Sequence, residues 1–118
     1  MKQTPSYFDV SGNNQEKFYH GMILGMTACL SNTHIIKSNR ESGEGRYDIC
    51  IEPKDKKGNG IIIELKAGNE KEDLNILAQR AYEQIQTKDY KREMENKGIK
   101  EIIPVGIAFS GKEVKIKY

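Results

Sequence analysis

Apolar positions fall into two helical stripes and five strand-like runs. Between Asn14 and Leu30, Phe18, Met22, Met26 and Cys29 recur at spacings of four and three, with Leu30 beside the last. That period predicts an amphipathic helix. Gly21 and Gly25 stand four apart on it, and close packing of the helix against a sheet is their expected use. His34 to Glu41 reads as a first strand. Ser42-Gly43-Glu44-Gly45 follows as a turn, its glycines free to take positive φ. Tyr47 to Pro53 reads as a second strand and Gly60 to Ala67 as a third. The polar loop between them ends in Gly58-Asn59-Gly60, a hairpin signal. These three strands predict an antiparallel meander.

Asn69 is then expected to cap a helix, with Glu72 three residues on as a capping box requires. Leu74, Leu77, Ala78, Ala81 and Ile85 form its apolar face, and the helix is expected to reach about Tyr90. A shorter charged piece, Lys91 to Lys97, ends at Gly98, a suitable C′ residue. Glu101 to Phe109 and Glu113 to Tyr118 read as the fourth and fifth strands. Pro104 hints that the fourth begins at an edge or a bulge. The order α-β-β-β-α-β-β defines an α/β (α+β) class with a mixed central sheet and flanking helices. The long helix serves as a right-handed crossover that makes strands three and four parallel. Residues 1–13 are polar and expected to be a flexible segment, with 14–118 a single domain.

The chain has 118 residues, 31% charged and 36% hydrophobic, with a formal net charge of +2. That suits one well-solvated core and excludes a strongly basic nucleic-acid footprint. Basic character is local, at Lys54-Asp55-Lys56-Lys57 and at Lys112, Lys115 and Lys117. Cys29 and Cys50 form no CxxC pair, which argues against zinc. They read as two buried thiols of a reducing, cytoplasmic compartment. No leader pattern stands at the N-terminus. No apolar run approaches the ~20 residues that cross a bilayer, so no membrane partner is expected.

The chemistry concentrates on strands two and three. Side chains alternate along a strand, so Glu64 and Lys66 share a face while Ile63 and Leu65 take the other. The register of a hairpin can bring Asp48 to that same patch. Two carboxylates at short range repel unless a cation lies between them. An acid pair beside a lysine therefore reads as a Mg²⁺ site for phosphate chemistry. Asp48 and Glu64 would supply oxygens to the metal, with the Leu65 carbonyl as a further one. Lys66 would orient water or stabilise transition-state charge. The same Ile-Glu-Leu-Lys alternation also suits any half-solvated antiparallel strand.

Gly45-Arg46-Tyr47-Asp48 followed by Ile63-Glu64-Leu65-Lys66 resembles the signature of the PD-(D/E)XK nuclease superfamily, and the element order resembles its restriction-endonuclease-like core. Further segments resemble the nuclease-like C-terminal domain of bacterial AAA-ATPase-like proteins. These are Glu16-Lys17-Phe18-Tyr19-His20-Gly21, Ser38-Asn39-Arg40-Glu41-Ser42-Gly43, Gln84-Ile85 with Lys88 and Tyr90, and Gly106-Ile107-Ala108-Phe109. The likeness spans about residues 14 to 117. Tyr47 stands where the superfamily name has proline.

The resemblance implies a Mg²⁺- or Mn²⁺-dependent deoxyribonuclease. Asp48, Glu64 and Lys66 would be catalytic, Glu16 and Gln84 would support the site, and Tyr90 would contact DNA. Gln86 also fits a Gln-x-x-x-Tyr spacing with Tyr90, but reads better as a solvated helix position. Arg40 and Arg46 bracket the Gly-rich turn, where guanidinium groups can bind two phosphate oxygens or pair with Glu41 and Glu44. His20 lies one helical turn from Glu16, although a packed or surface role suits it better. Cleavage of both DNA strands would favour a homodimer. ATP is not expected as a partner, because Gly106-x4-Gly111-Lys112 has Glu113 where a phosphate loop needs Ser or Thr. The alternative function is a catalytically inactive nucleic-acid-binding or protein-interaction module of the same fold.

Overall fold

Five strands form one mixed sheet in the order β1-β2-β3-β4-β5, with helices on both faces. The computed structural model describes residues 14–41, 46–69, 71–111 and 113–118, and excludes the side chains of residues 14, 15, 40 and 41. The expected flexible segment 1–13, the Ser42–Gly45 turn and the Arg40 guanidinium therefore lie outside the described residues. The elements are α1 (Asn14–Leu30), β1 (His34–Glu41), β2 (Arg46–Pro53), β3 (Gly60–Ala67), α2 (Leu74–Ile85), α3 (Tyr90–Asn96), β4 (Ile102–Ser110) and β5 (Glu113–Lys117). β1, β2 and β3 form the antiparallel meander, and β4 joins β3 in parallel across the α2–α3 connection. Pro104 lies on the part of β4 that precedes its pairing with β5, which begins at Gly106. Its missing N–H thus costs no ladder bond to β5.

Alternation along the strands makes two cores. Tyr47, Ile49, Ile51, Ile63, Leu65, Ile107 and Phe109 face α1, with Phe18, Met22, Ile23, Met26 and Leu30 packed on them. Tyr19 stacks on Tyr47 and Phe18 on Phe109, at centroid distances of 4.1 and 4.3 Å. On the other face Cys50 and Ile62 meet Ile85, Met94 and Ile99, while Ala108 meets Leu74 and Ala78. Each buried aliphatic side chain contributes roughly 1.5–3 kcal/mol.

Three expectations need correction. Cys29 is exposed and only Cys50 is buried: Cys29 shares the side of α1 that carries the packed Phe18 and Met22, but the cover on that side ends before the last turn. A Cβ on Gly25 would meet nothing within 4 Å, so Gly25 marks no close approach. The helix expected from Asn69 to about Tyr90 is shorter at both ends, Leu74–Ile85, and Tyr90 instead opens the piece expected at Lys91 to Lys97. Asn69 and Glu72 do form a reciprocal turn, in which Asn69 N donates to Glu72 Oε1 at 2.8 Å. The cap of α2 is instead Asp73, whose carboxylate accepts from Asn75 N. α2 stops at Ile85, where Gln86, Thr87 and Lys88 donate to the carbonyls of Glu83, Gln84 and Ile85. These i→i−3 bonds tighten the chain, and the Thr87 hydroxyl adds a bond to the Gln84 carbonyl. The turn separates α2 from α3, which starts at Tyr90. Gly98 follows α3 with φ of +97°, as its C′ position requires.

Candidate active site

β2 and β3 carry two cross-strand pairs on the α2–α3 face, Asp48 opposite Glu64 and Arg46 opposite Lys66. The register therefore sets the two acids side by side, with Lys66 on the same face as Glu64. Asp48 is 2% exposed and Glu64 1%. Like charges directly opposite on a sheet are destabilising, and burial sharpens that cost.

A cation meets them. Lys88 Nζ, from the turn after α2, lies 3.2 and 3.0 Å from the two Asp48 carboxylate oxygens and 3.5 Å from Glu64 Oε1. The Tyr90 hydroxyl donates to Asp48 Oδ2 at 3.0 Å. Burial foremost, then the Asp48 charge and this bond, push the Tyr90 hydroxyl up to about 12, so it stays a donor at neutral pH. Tyr90 is expected to contact DNA; its hydroxyl here donates to Asp48. A cleft of about 90 Å³ opens beside Asp48 between β1 and α3, with Lys37, Asn39 and Tyr90 in its walls.

The other expected site residues are placed as follows. Leu65 buries its side chain towards α1, leaving only its backbone on offer to a ligand. Arg46 and Lys66 are half-buried. Gln84, in the last turn of α2, has a buried Oε1 with no hydrogen-bond partner among the described residues; such an atom calls for an explanation. Gln86 is exposed, as a solvated position should be. Glu16 accepts from the Tyr47 hydroxyl at 3.2 Å and pairs with His20 at 3.3 Å. Tyr47 alternates to the α1 face, so these two contacts lie across the sheet from the Asp48 carboxylate.

Lys88 was absent from the expected site. Its only sequence signal was its place beside Gln84, Ile85 and Tyr90 in the family-like segment. Glu52 was also unforeseen: it is buried on the Asp48 face and bound by Lys37 and Lys97 at 3.4 and 3.1 Å. Between the two acids, the Cys50 thiol is pushed up to about 12, chiefly by burial and then by Asp48 and Glu52. Iodoacetamide at pH 8 is accordingly expected to alkylate Cys29 and spare Cys50 in the folded chain. Intact mass should show one adduct; two would mean that this face opens.

A family model described as the PD-(D/E)XK nuclease superfamily matches residues 14–118, and the chain belongs to that superfamily. No curated protein and no solved structure matches at a significant level. Membership supports a nuclease-type activity and the use of a divalent metal ion. No described helix is long and apolar enough to cross a membrane.

The residues fit such an ion. Among the described residues no cluster of three or more His, Cys, Asp or Glu could hold a metal. Mg²⁺ asks for less, taking one or two carboxylates and completing its shell with water and phosphate oxygens. Asp48 and Glu64 form a buried acid pair, and the Lys88 ammonium already stands as a cation against both.

Proposed function

We propose that the chain is a divalent-metal-dependent nuclease that hydrolyses phosphodiester bonds in DNA. The observation that carries this reading is the buried Asp48–Glu64 pair drawn together around a positive charge. Asp48 and Glu64 would hold Mg²⁺ or Mn²⁺, with the Leu65 carbonyl as a third protein oxygen. When bound, the ion supplies Lewis-acid polarisation of the phosphoryl oxygen and a more acidic water.

The chain's own groups do the rest. Lys66, protonated at Nζ, lies two residues from Glu64 on the same face and offsets charge gathering on the phosphorus oxygens. Gln84 Oε1 accepts a hydrogen bond from water and orients it. The Tyr90 hydroxyl keeps the Asp48 carboxylate aimed. Arg46 and Arg40 offer forks to backbone phosphates. Glu16 acts at one remove, through Tyr47, the residue before Asp48. Cutting both strands of a duplex would bring two copies together.

The test is cleavage of plasmid and single-stranded DNA with Mg²⁺ or Mn²⁺, and its loss with a chelator. Lys66→Ala is expected to slow cleavage by about a hundredfold, the scale of a lost transition-state donor, with Mn²⁺ affinity nearly unchanged. Unaltered cleavage would remove Lys66 from the chemistry. The Lys88 ammonium between the acids favours a second reading, an inactive nucleic-acid-binding or protein-interaction module of the same fold. DNA retention without cleavage at any metal concentration would select it.

A further inference from the structure

Lys88 is the side chain that the proposed chemistry leaves unused. It reaches the acid pair from a turn, not from either motif strand, and its side chain is 20% exposed. Its Nζ touches both carboxylates at 3.0 to 3.5 Å. A cation serving both acids must stand between them. A divalent ion does so at about 2.0–2.1 Å from each oxygen, if it is Mg²⁺. Ammonium and metal therefore claim the same space, and both cannot hold it at once.

We propose that Lys88 is the resident competitor of the metal, an inference that rests on the metal-site reading above. In the metal-free chain its ammonium neutralises the acids and keeps two nearly inaccessible carboxylates from forcing β2 and β3 apart. Metal loading displaces it. A flexible four-carbon stem lets Nζ move several ångströms without moving the backbone. The displaced charge then lies at the mouth of the site, where a nucleic-acid phosphate can accept it. Phosphate binding and metal binding thereby favour one another, since each stabilises the displaced lysine, and such coupling is reciprocal.

The experiment titrates Mn²⁺, by calorimetry or electron paramagnetic resonance, into wild type, Lys88→Met and Asp48→Asn, and follows Tm in parallel. Removing an opposite charge at this range is worth one or more powers of ten in ion affinity. Lys88→Met is expected to lower the metal-free Tm, to bind Mn²⁺ about tenfold tighter or more, and to show a larger Mn²⁺-induced rise in Tm. A purely structural lysine would lower stability without raising affinity. If Lys88→Met fails to fold alone, added Mn²⁺ is expected to restore its circular dichroism, and a chain that stays unfolded in saturating Mn²⁺ overturns the proposal. Equal or weaker Mn²⁺ binding by Lys88→Met, with binding lost in Asp48→Asn, overturns the competitor role and leaves the metal site standing. Absence of Mn²⁺ binding in both wild type and Lys88→Met overturns both.

Discussion

Asp48→Asn and Glu64→Gln proteins are expected to lose metal-dependent DNA cleavage by more than about a hundredfold while remaining folded. The size follows from where the two acids lie. Changes to groups that merely orient metal ligands cost 10- to 100-fold, and these carboxylates are the proposed ligands themselves. The retained fold follows from electrostatics. Asp48 and Glu64 oppose each other across the β2–β3 ladder with 2% and 1% exposure. An isosteric amide at either position relieves a like-charge contact and leaves Lys88 the other carboxylate. The two effects offset, and Tm is expected to stay within a few degrees. The measurements are plasmid nicking over a Mn²⁺ series and thermal melts by circular dichroism. Cleavage at the wild-type rate in both variants would sink the acid pair as the active centre. Loss of cleavage with a collapsed Tm would show that the pair is structural instead.

The sheet was legible because its strands announce themselves locally. Ile61-Ile62-Ile63 after Gly58-Asn59-Gly60 is an apolar run behind a hairpin signal, and the observed β3 begins at Gly60 as the pattern implies. Period-two alternation also placed Glu64 and Lys66 on one face, and the register adds Asp48 to it. The helical half was less legible. Gln86-Thr87-Lys88-Asp89 contains neither Gly nor Pro, so nothing in composition ends a helix there. The break is made by tight i→i−3 bonds and the Thr87 hydroxyl, local geometry that competes narrowly with a further helical turn. Reading through it hid Lys88, which on a continuous helix would merely follow Gln84 by one turn. Tyr90, expected on the second helix, opens α3 instead, and its reach to Asp48 depends on the same turn. Close packing was assigned to Gly25 on period alone, although glycine spacing carries no information on which surface comes near.

The glycine that matters for packing is Gly106, and Gly106→Ala is expected to be the most damaging single-methyl change in the described chain. A Cβ there would lie 2.5 Å from Tyr82 N and 2.9 Å from Tyr82 Cα, and closer still to the Ala78 carbonyl oxygen. All three are backbone atoms of α2, so no side-chain rotation relieves the clash. The helix must lift from β4, or the strand must bend. Overpacking a close-fitted core costs about 1–3 kcal/mol even where side chains can adjust, and here they cannot. A loss at or above the top of that range is expected, with a fall in Tm on the order of 10 °C.

The position also ties the fold to the chemistry. Gly106 is the register partner of Glu64 on the neighbouring strand, so the close approach seats α2 over the strand that bears the acid. α2 ends in Gln84 and Ile85 and hands the chain to the turn that aims Lys88. Lifting α2 withdraws Gln84 and Lys88 together while leaving Asp48 and Glu64 on their strands. Below its lowered Tm, Gly106→Ala is therefore expected to bind Mn²⁺ at least as tightly as wild type and to lose cleavage. A Tm within about 3 °C of wild type would show that α2 moves away without cost, and that its seat on β4 does not set the site.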